Sequence, residues 1–117
     1  MRENVIHTKS YAFALRVVKL YKYLVSEKKE YVFSKQLLRS GTAIGALVKE
    51  AEHAQSKADF IHKMNIALKE ANETVYWLEL LKDSDYLDKE AFCSIHQDAV
   101  TLLKMLISIV KTSKQKP

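Results

Sequence analysis

Glu50 and His53, three residues apart, form one of two pairs in this sequence whose spacing suits a metal ion. Asp59 and His62 repeat the spacing. Residues three apart lie on one face of a helix, and the di-iron site of ferritin-like bundles combines Glu-x-x-His motifs with carboxylates from two further helices. In the first predicted helix the only acidic residue is Glu27, at its end. Because those carboxylates are missing, we expect no metal site and exposed histidines at helix ends.

Cys93 and His96 have the residue types of a nucleophile and its base. No third group that would orient the histidine is in view. The sequence also has no glycine-rich phosphate loop, no His-Glu-x-x-His motif and no paired cysteines. We therefore expect no catalytic residues, no cofactor and no enzymatic activity, and we interpret Cys93 as a small, partly buried side chain.

The single cysteine cannot form an internal disulfide, and residues 1–4 lack the apolar core of a secretory signal. Charged residues interrupt every hydrophobic segment before it reaches the about 18 to 20 residues that span a bilayer. The sequence therefore predicts a soluble protein of the reducing cytoplasm, without a membrane partner.

Positive charge is the remaining chemical signal. The chain has 19 Lys and Arg against 14 Asp and Glu, a formal net charge of +5. Residues 9–29 include six basic residues and one acid, and there is no acid from residue 104 onward. Such clusters attract phosphates, so Arg16, Lys19 and Lys22 are our candidate nucleic-acid contacts; a solvated helix face explains the same pattern equally well.

Helices must position these residues, because the composition leaves little material for the turns of a β-fold. Two glycines, one proline and 48% hydrophobic residues favour an all-α fold, and 117 residues fit one domain, 1–117. Apolar spacings predict four helices, at about residues 9–27, 31–53, 57–82 and 88–111. The short connections favour an antiparallel up-and-down four-helix bundle.

Capping residues mark the predicted helix starts. Ser10 is the candidate cap of the first helix, Ser56 with Asp59 resembles a capping box for the third, and Asp88 precedes the fourth. The charged run at residues 27–30 predicts the first turn.

Gly41 and Gly45, the only glycines, lie four residues apart in the second predicted helix. Each glycine in a helix interior costs about 0.5 to 1 kcal/mol relative to alanine. Two on one stripe therefore indicate a site of close helix packing.

The block at residues 74–78 is apolar almost all round its predicted helix. A four-helix monomer would leave part of such a surface exposed, so Val75, Tyr76 and Trp77 are the predicted oligomer interface. The aromatic rings also have the chemistry of a stacking platform for bases, but aromatic residues at helical spacing more often serve packing or an interface.

Four charged residues flank apolar stripes at mid-helix: Arg39, Glu50, Glu70 and Glu73. They are candidates for ion pairs between helices or subunits. Solvent-facing side chains explain Arg39 and Glu73 equally well, and for Glu70 we expect solvent exposure.

Several motifs carry a family resemblance: residues 36–46, which read Gln-Leu-Leu-Arg-Ser-Gly-Thr-Ala-Ile-Gly-Ala, then 56–60, 66–71 and 76–78. With them the chain resembles the four-helix-bundle proteins also called 23S rRNA intervening-sequence proteins, over nearly its whole length. The resemblance implies a bacterial origin, a closed left-handed up-and-down bundle and a ring-like homopentamer. A related branch, the accessory protein of diversity-generating retroelements, is thought to contact nucleic acid and a reverse transcriptase.

The chain departs from the commoner family pattern at Gly45, where many members have proline, at Leu47, where asparagine is common, and at Ala51, where glycine often ends the motif. The resemblance brings no catalytic residue. Together, residues and resemblance predict a non-enzymatic homo-oligomer that contacts RNA or DNA as an accessory or scaffold protein. The alternative is a protein–protein interaction adaptor without nucleic-acid binding, which docks a protein partner encoded nearby.

Overall fold

The computed structural model describes residues 2–115, which form four helices and no strand. The helices are α1 (Arg2–Ser26), α2 (Phe33–Glu52), α3 (Lys57–Asp83) and α4 (Lys89–Gln115). Each helix packs against the next along the chain and α4 returns to α1, in a body of 49 × 21 × 20 Å. The predicted all-α four-helix bundle is confirmed.

The core is built from apolar residues that recur at heptad-like spacing on each helix. In α2, Leu37, Ile44 and Ala51 are at most 2% exposed. The other most deeply buried apolar residues are Ile6, Phe13, Val17, Leu24, Val48, Met64, Ala67, Ala71, Leu78, Leu81, Ala99, Leu102 and Leu106. Ser40 and Thr74 are also buried, and their hydroxyls satisfy each other across α2 and α3 in a 3.0 Å hydrogen bond.

α1 begins earlier than predicted, at Arg2 rather than at residue 9. Ile6 is fully buried and continues the row of Phe13 and Val17 by one more heptad, which anchors the extra turns in the core. Ser10 is therefore not a helix cap. It is fully buried in the middle of α1 and its hydroxyl donates to the carbonyl of His7 at 3.1 Å.

The predicted caps of α3 and α4 are confirmed. The Ser56 hydroxyl accepts the Asp59 backbone N–H at 3.0 Å, and the Asp59 carboxylate accepts the N–H of Gln55 at 3.3 Å. The Asp88 carboxylate accepts the N–H of Ala91 at 2.8 Å. At its other end α4 continues to Gln115, past the predicted end at residue 111.

The turn between α1 and α2 is organised by a buried carboxylate that the sequence did not reveal. Glu30, 6% exposed, accepts the backbone N–H groups of Val32 and Phe33 at 3.0 Å each and of Ser34 at 2.6 Å. Burial alone raises the pKa of this carboxyl, but these N–H donors at the start of α2 outweigh it, and the net pKa lies below its ordinary value of 4.5. Glu30 therefore caps α2 as an anion.

The two glycines lie where α2 approaches α1. A Cβ atom added at Gly41 would lie 2.8 Å from Cγ2 of Val17, and one added at Gly45 would lie 3.3 Å from the backbone oxygen of Ser10. The absence of side chains at these two positions therefore sets how closely the two helices pack.

α4 has the length and composition of a membrane span: an 18-residue window has a mean hydropathy of 1.3 and at most two charged residues. Asp98 and Lys104 interrupt this window, as expected from the sequence, but its mean hydropathy is high enough for a span despite these two charges. In the bundle, Ala99 and Leu106 of α4 lie in the core, and Asp98 forms an ion pair with Arg16 of α1. Core helices of soluble proteins have the same composition.

We predict that Gly41→Ala destabilises the protein by about 1 to 2 kcal/mol, because a clash with the β-branched Val17 outweighs the better helix propensity of alanine. Urea unfolding followed by circular dichroism measures the change. In a Val17→Ala background the same substitution is expected to stabilise by up to about 1 kcal/mol. If Gly41→Ala instead stabilises the protein in the wild-type background, the Val17 side chain can move aside without loss of free energy, and the predicted clash is wrong.

Glu30→Gln is expected to lower the free energy of unfolding by about 1 to 2 kcal/mol at neutral pH, since an amide presents N–H groups to some of the backbone donors. Because the folded-state pKa is lowered, the contribution of Glu30 is complete above pH 4.5 and is lost as the pH falls through the folded value. Thermal unfolding of both proteins against pH should therefore converge in acid. Glu27→Gln, an exposed acid of the same turn, is the control; a constant difference at all pH values would contradict the anionic cap.

Candidate nucleic-acid interface

The outward face of α1 is fixed by the residues that the helix buries. Phe13, Val17 and Leu24 point into the core, so Lys19 and Lys22 lie on the opposite, exposed side. Within residues 5–115, whose side chains the structure describes, neither lysine forms an ion pair. Both ammonium groups are therefore available to an external anion.

Arg16, the third candidate contact, is already engaged within the chain. Its guanidinium reaches from α1 to α4, where Nη1 lies 2.6 Å from Oδ2 of Asp98 and Nη2 donates to the hydroxyl of Ser94 at 2.9 Å. Nη1 also donates to the carbonyl of Ser94 at 3.3 Å. The structure thus separates Arg16, whose charge is compensated, from Lys19 and Lys22. The sequence could not reveal this, since Asp98 lies far along the chain.

A cleft of about 670 Å³ opens between α1 and the start of α4, beside the Arg16 bridge. Its floor is apolar, formed by Leu20, Leu87 and Ile95, of which the last two are nearly fully buried. Lys19 and Tyr23 line the α1 side, and the Tyr23 side chain is 44% exposed. We call this space the α1–α4 cleft.

The other wall of the α1–α4 cleft carries carboxylates. Asp88 and Glu90 line it at the start of α4. One oxygen of Asp88 is used to cap the helix, and Glu90 is exposed. The cleft is therefore cationic on one side and anionic on the other. Tyr23 and these acids could not be identified as one site from the sequence, because only the packing of α1 against α4 brings them together. The one available signal was the spacing of Lys19 and Tyr23, which are four residues apart and therefore share a helix face.

A second groove, of about 420 Å³, lies between α1 and α2. Its floor consists of small residues, among them Ala14, Gly45 and Ala46, and Lys49 and Tyr11 stand on its rim. Tyr11 is 63% exposed. This α1–α2 groove is an apolar surface with a cationic edge.

The predicted oligomer interface divides into exposed and internal residues. The indole of Trp77 stacks on Phe33 of α2, with ring centroids 6.1 Å apart, and its N–H donates to Glu73 at 2.9 Å. Val75 is half-buried against the core. Tyr76 is 55% exposed and is thus the residue of the three that lies mostly outside the bundle. Trp77 packs within one chain instead of offering a free stacking platform.

Arg39 forms ion pairs with Glu70 and Glu73 of α3, two of the charged residues that were candidates for ion pairs between helices. Its Nη2 lies 2.6 Å from Oε2 of Glu73 and 3.2 Å from Oε1 of Glu70. The Trp77 hydrogen bond and Arg39 lower the pKa of Glu73, and Glu73 and Glu70 raise the pKa of Arg39. The expectation that Glu70 faces solvent is wrong: its side chain is 19% exposed and helps to join α2 to α3.

The candidate metal and nucleophile residues have other partners. Glu50 lies 3.2 Å from Nζ of Lys63, and His53 ends α2. Among the described side chains, those of residues 5–115, no group of three or more His, Cys, Asp and Glu residues comes together as metal ligands would. His96 faces Glu79 of α3 at 3.5 Å and stacks on Phe92. Cys93 is exposed rather than partly buried, because it lies just outside the core row of α4.

The fold agrees with that of known proteins. The family model for the 23S rRNA-intervening sequence protein matches residues 2–108. A crystal structure from Bacteroides thetaiotaomicron, described as a protein with unknown function from the S23 ribosomal protein family, is 60% identical with a TM-score of 0.93. That match covers 95% of this chain and 99% of the other. Among curated proteins there is no significant match.

Proposed function

This chain belongs to the 23S rRNA-intervening sequence protein family, and from that premise we propose that it is a non-enzymatic, homo-oligomeric scaffold whose basic surface contacts RNA or DNA. The oligomer is a homopentamer by analogy with the family, and it acts in the bacterial cytoplasm. The proposal has two parts, a charged surface and self-association, which rest on different residues.

One observation carries the nucleic-acid part: Lys19 and Lys22 project from α1 without an ion-pair partner among the side chains of residues 5–115. The whole chain has a net charge of +5. Lysines that neutralise phosphates release condensed counterions, which gives affinity with little sequence selectivity and a strong dependence on salt. Arg16 contributes less than the sequence predicted, because Asp98 compensates its charge.

Support for a non-enzymatic role comes from the residues with catalytic chemistry. His96 is stacked on Phe92 and paired with Glu79, and Glu50 is paired with Lys63. Catalysis by a cysteine needs a base within hydrogen-bonding reach and a group that orients the base. These side chains instead join neighbouring helices, so the proposal includes no cofactor and no metal.

Support for self-association comes from large apolar side chains on the surface. Those exposed by more than 40% are Val5, Tyr11, Leu15, Tyr23, Tyr31, Val32, Tyr76 and Ile107. Single exposed apolar residues are common on monomers, whereas adjoining ones, such as Tyr31 and Val32, form the larger apolar surfaces that associate. Of the sequence-predicted interface, Tyr76 is the residue best placed to contact another copy.

A protein-binding adaptor is the second candidate, and the α1–α2 groove favours it. Its small-residue floor would admit an apolar side chain, and Lys49 on its rim would attract an acidic partner. Capture experiments with and without nuclease separate the two functions, since a partner held through nucleic acid is lost after digestion.

Structured RNA is expected to bind in a fluorescence-anisotropy titration at low salt and to dissociate as salt rises. The double variant Lys19→Ala/Lys22→Ala should weaken binding several-fold and reduce the log–log salt slope by about 1 to 2, because two phosphate contacts are lost. Lys104→Ala/Lys111→Ala removes the same charge from α4 and is the control. Absence of binding at low salt would remove the nucleic-acid proposal, and equal effects of both variants would move the contact away from α1.

Light scattering or sedimentation should give a mass well above the 13.5 kDa of one chain, near five times that value for a homopentamer. Tyr76→Ala is expected to reduce this mass and to lower the unfolding midpoint less than Trp77→Ala does, since within the chain its ring makes only an edge contact with Trp77, with centroids 4.9 Å apart. Trp77→Ala is expected to lower the midpoint, since the indole packs on Phe33 within the chain. A wild-type protein that sediments as a single chain would disprove self-association.

A further inference from the structure

We propose that the α1–α4 cleft binds an unpaired nucleotide, so that the protein prefers single-stranded over duplex nucleic acid. The proposal rests on the proposed nucleic-acid function and adds a defined site to it. Four features of the cleft support it: its size, its apolar floor, an exposed aromatic ring, and opposite charges on its two walls.

The size and floor of the cleft suit a planar ring. Its volume of about 670 Å³ falls within the about 300 to 1,000 Å³ of ordinary small-molecule sites. Leu20, Leu87 and Ile95 provide the apolar base, and the half-exposed ring of Tyr23 stands at the side. Stacking on an aromatic side chain is the usual way in which proteins hold unpaired bases, and it tolerates any base because every base has a π-face.

The charges of the cleft favour a nucleotide over a simple anion. Lys19 lines the α1 wall, and Lys22 lies within one helical turn of it, so a phosphate is attracted to this side. On the α4 wall, Glu90 and the remaining oxygen of Asp88 would repel a phosphate. Carboxylates do accept hydrogen bonds from the amino groups of bases. The arrangement therefore orients the phosphate toward α1 and the base edge toward α4.

Duplex nucleic acid does not meet these requirements. Its bases are paired and stacked on one another, so a base enters a cleft only after unstacking and unpairing, which costs free energy. The outer lysines remain able to contact duplex phosphates without using the cleft. The cleft would therefore add a preference for single-stranded over duplex nucleic acid to the affinity that the lysine charges provide for both.

Anisotropy titrations with a single-stranded oligonucleotide and a blunt-ended duplex of equal length, each as RNA and as DNA, test the proposal at low salt. The single strand is expected to bind more tightly. Tyr23→Ala should weaken single-strand binding by about fivefold or more and leave duplex binding unchanged, whereas Tyr23→Phe should retain the preference. A difference between the RNA and DNA arms would assign the natural strand.

Tyr11→Ala is the matched control, since it removes an exposed tyrosine of the same helix that lies outside the cleft and outside the predicted oligomer interface. Circular dichroism verifies that each variant is folded. Quenching of 2-aminopurine placed in the single strand, lost in Tyr23→Ala, reports stacking independently of affinity.

The outcomes separate the two proposals. Equal binding of single strand and duplex, or an effect of Tyr23→Ala no larger than that of Tyr11→Ala, overturns the cleft proposal while salt-dependent binding through Lys19 and Lys22 stands. Binding of neither strand at low salt overturns the nucleic-acid function itself and the cleft with it.

Discussion

The close approach of α1 and α2 at Gly41 and Gly45 is the constraint on which the rest of the bundle depends. With no side chain at either position, Val17 and the backbone of Ser10 lie directly against α2. This contact fixes the rotation of α1 about its own axis and thereby places Lys19 and Lys22 on the outer surface. On its other side, α1 meets α4, where the Arg16 bridge separates the α1–α4 cleft from a smaller cavity of about 180 Å³ lined by Ala12, Asp98 and Thr101. The same orientation of α1 therefore produces both its tight contact with α2 and its open contact with α4.

Most of the fold could be predicted from local patterns. Heptad-like apolar rows located all four helices, and Ser56 and Asp88 marked two helix starts, because a capping hydroxyl or carboxylate acts within a few residues of itself. Ser10 misled for the same reason: its type favours a cap, but the burial of Ile6 a turn earlier kept the helix going. The capping role of Glu30 was missed because its carboxylate folds back onto the first N–H groups of α2, whereas a usual capping residue directly precedes its helix.

The candidate site was less predictable, since it depends on residues from distant parts of the chain. Helical periodicity correctly put Lys19 and Lys22 on an outer face. It gave no means of knowing that Asp98 would neutralise Arg16, or that Arg39 would draw Glu70 out of solvent. The α1–α4 cleft exists only after both helices pack, so a sequence in which Tyr23 is one of six tyrosines did not identify it.

Trp77 is the single tryptophan of this chain, and its indole N–H lies 2.9 Å from a Glu73 oxygen while its ring faces Phe33. Fluorescence excited at the red edge of the indole absorption band therefore arises from one known position, where the second and third helices meet. A change in the packing or the charge around this indole will shift its emission maximum, whereas changes elsewhere in the molecule will leave the emission maximum nearly unchanged. The molecule thus contains its own optical label, usable without chemical attachment of a dye.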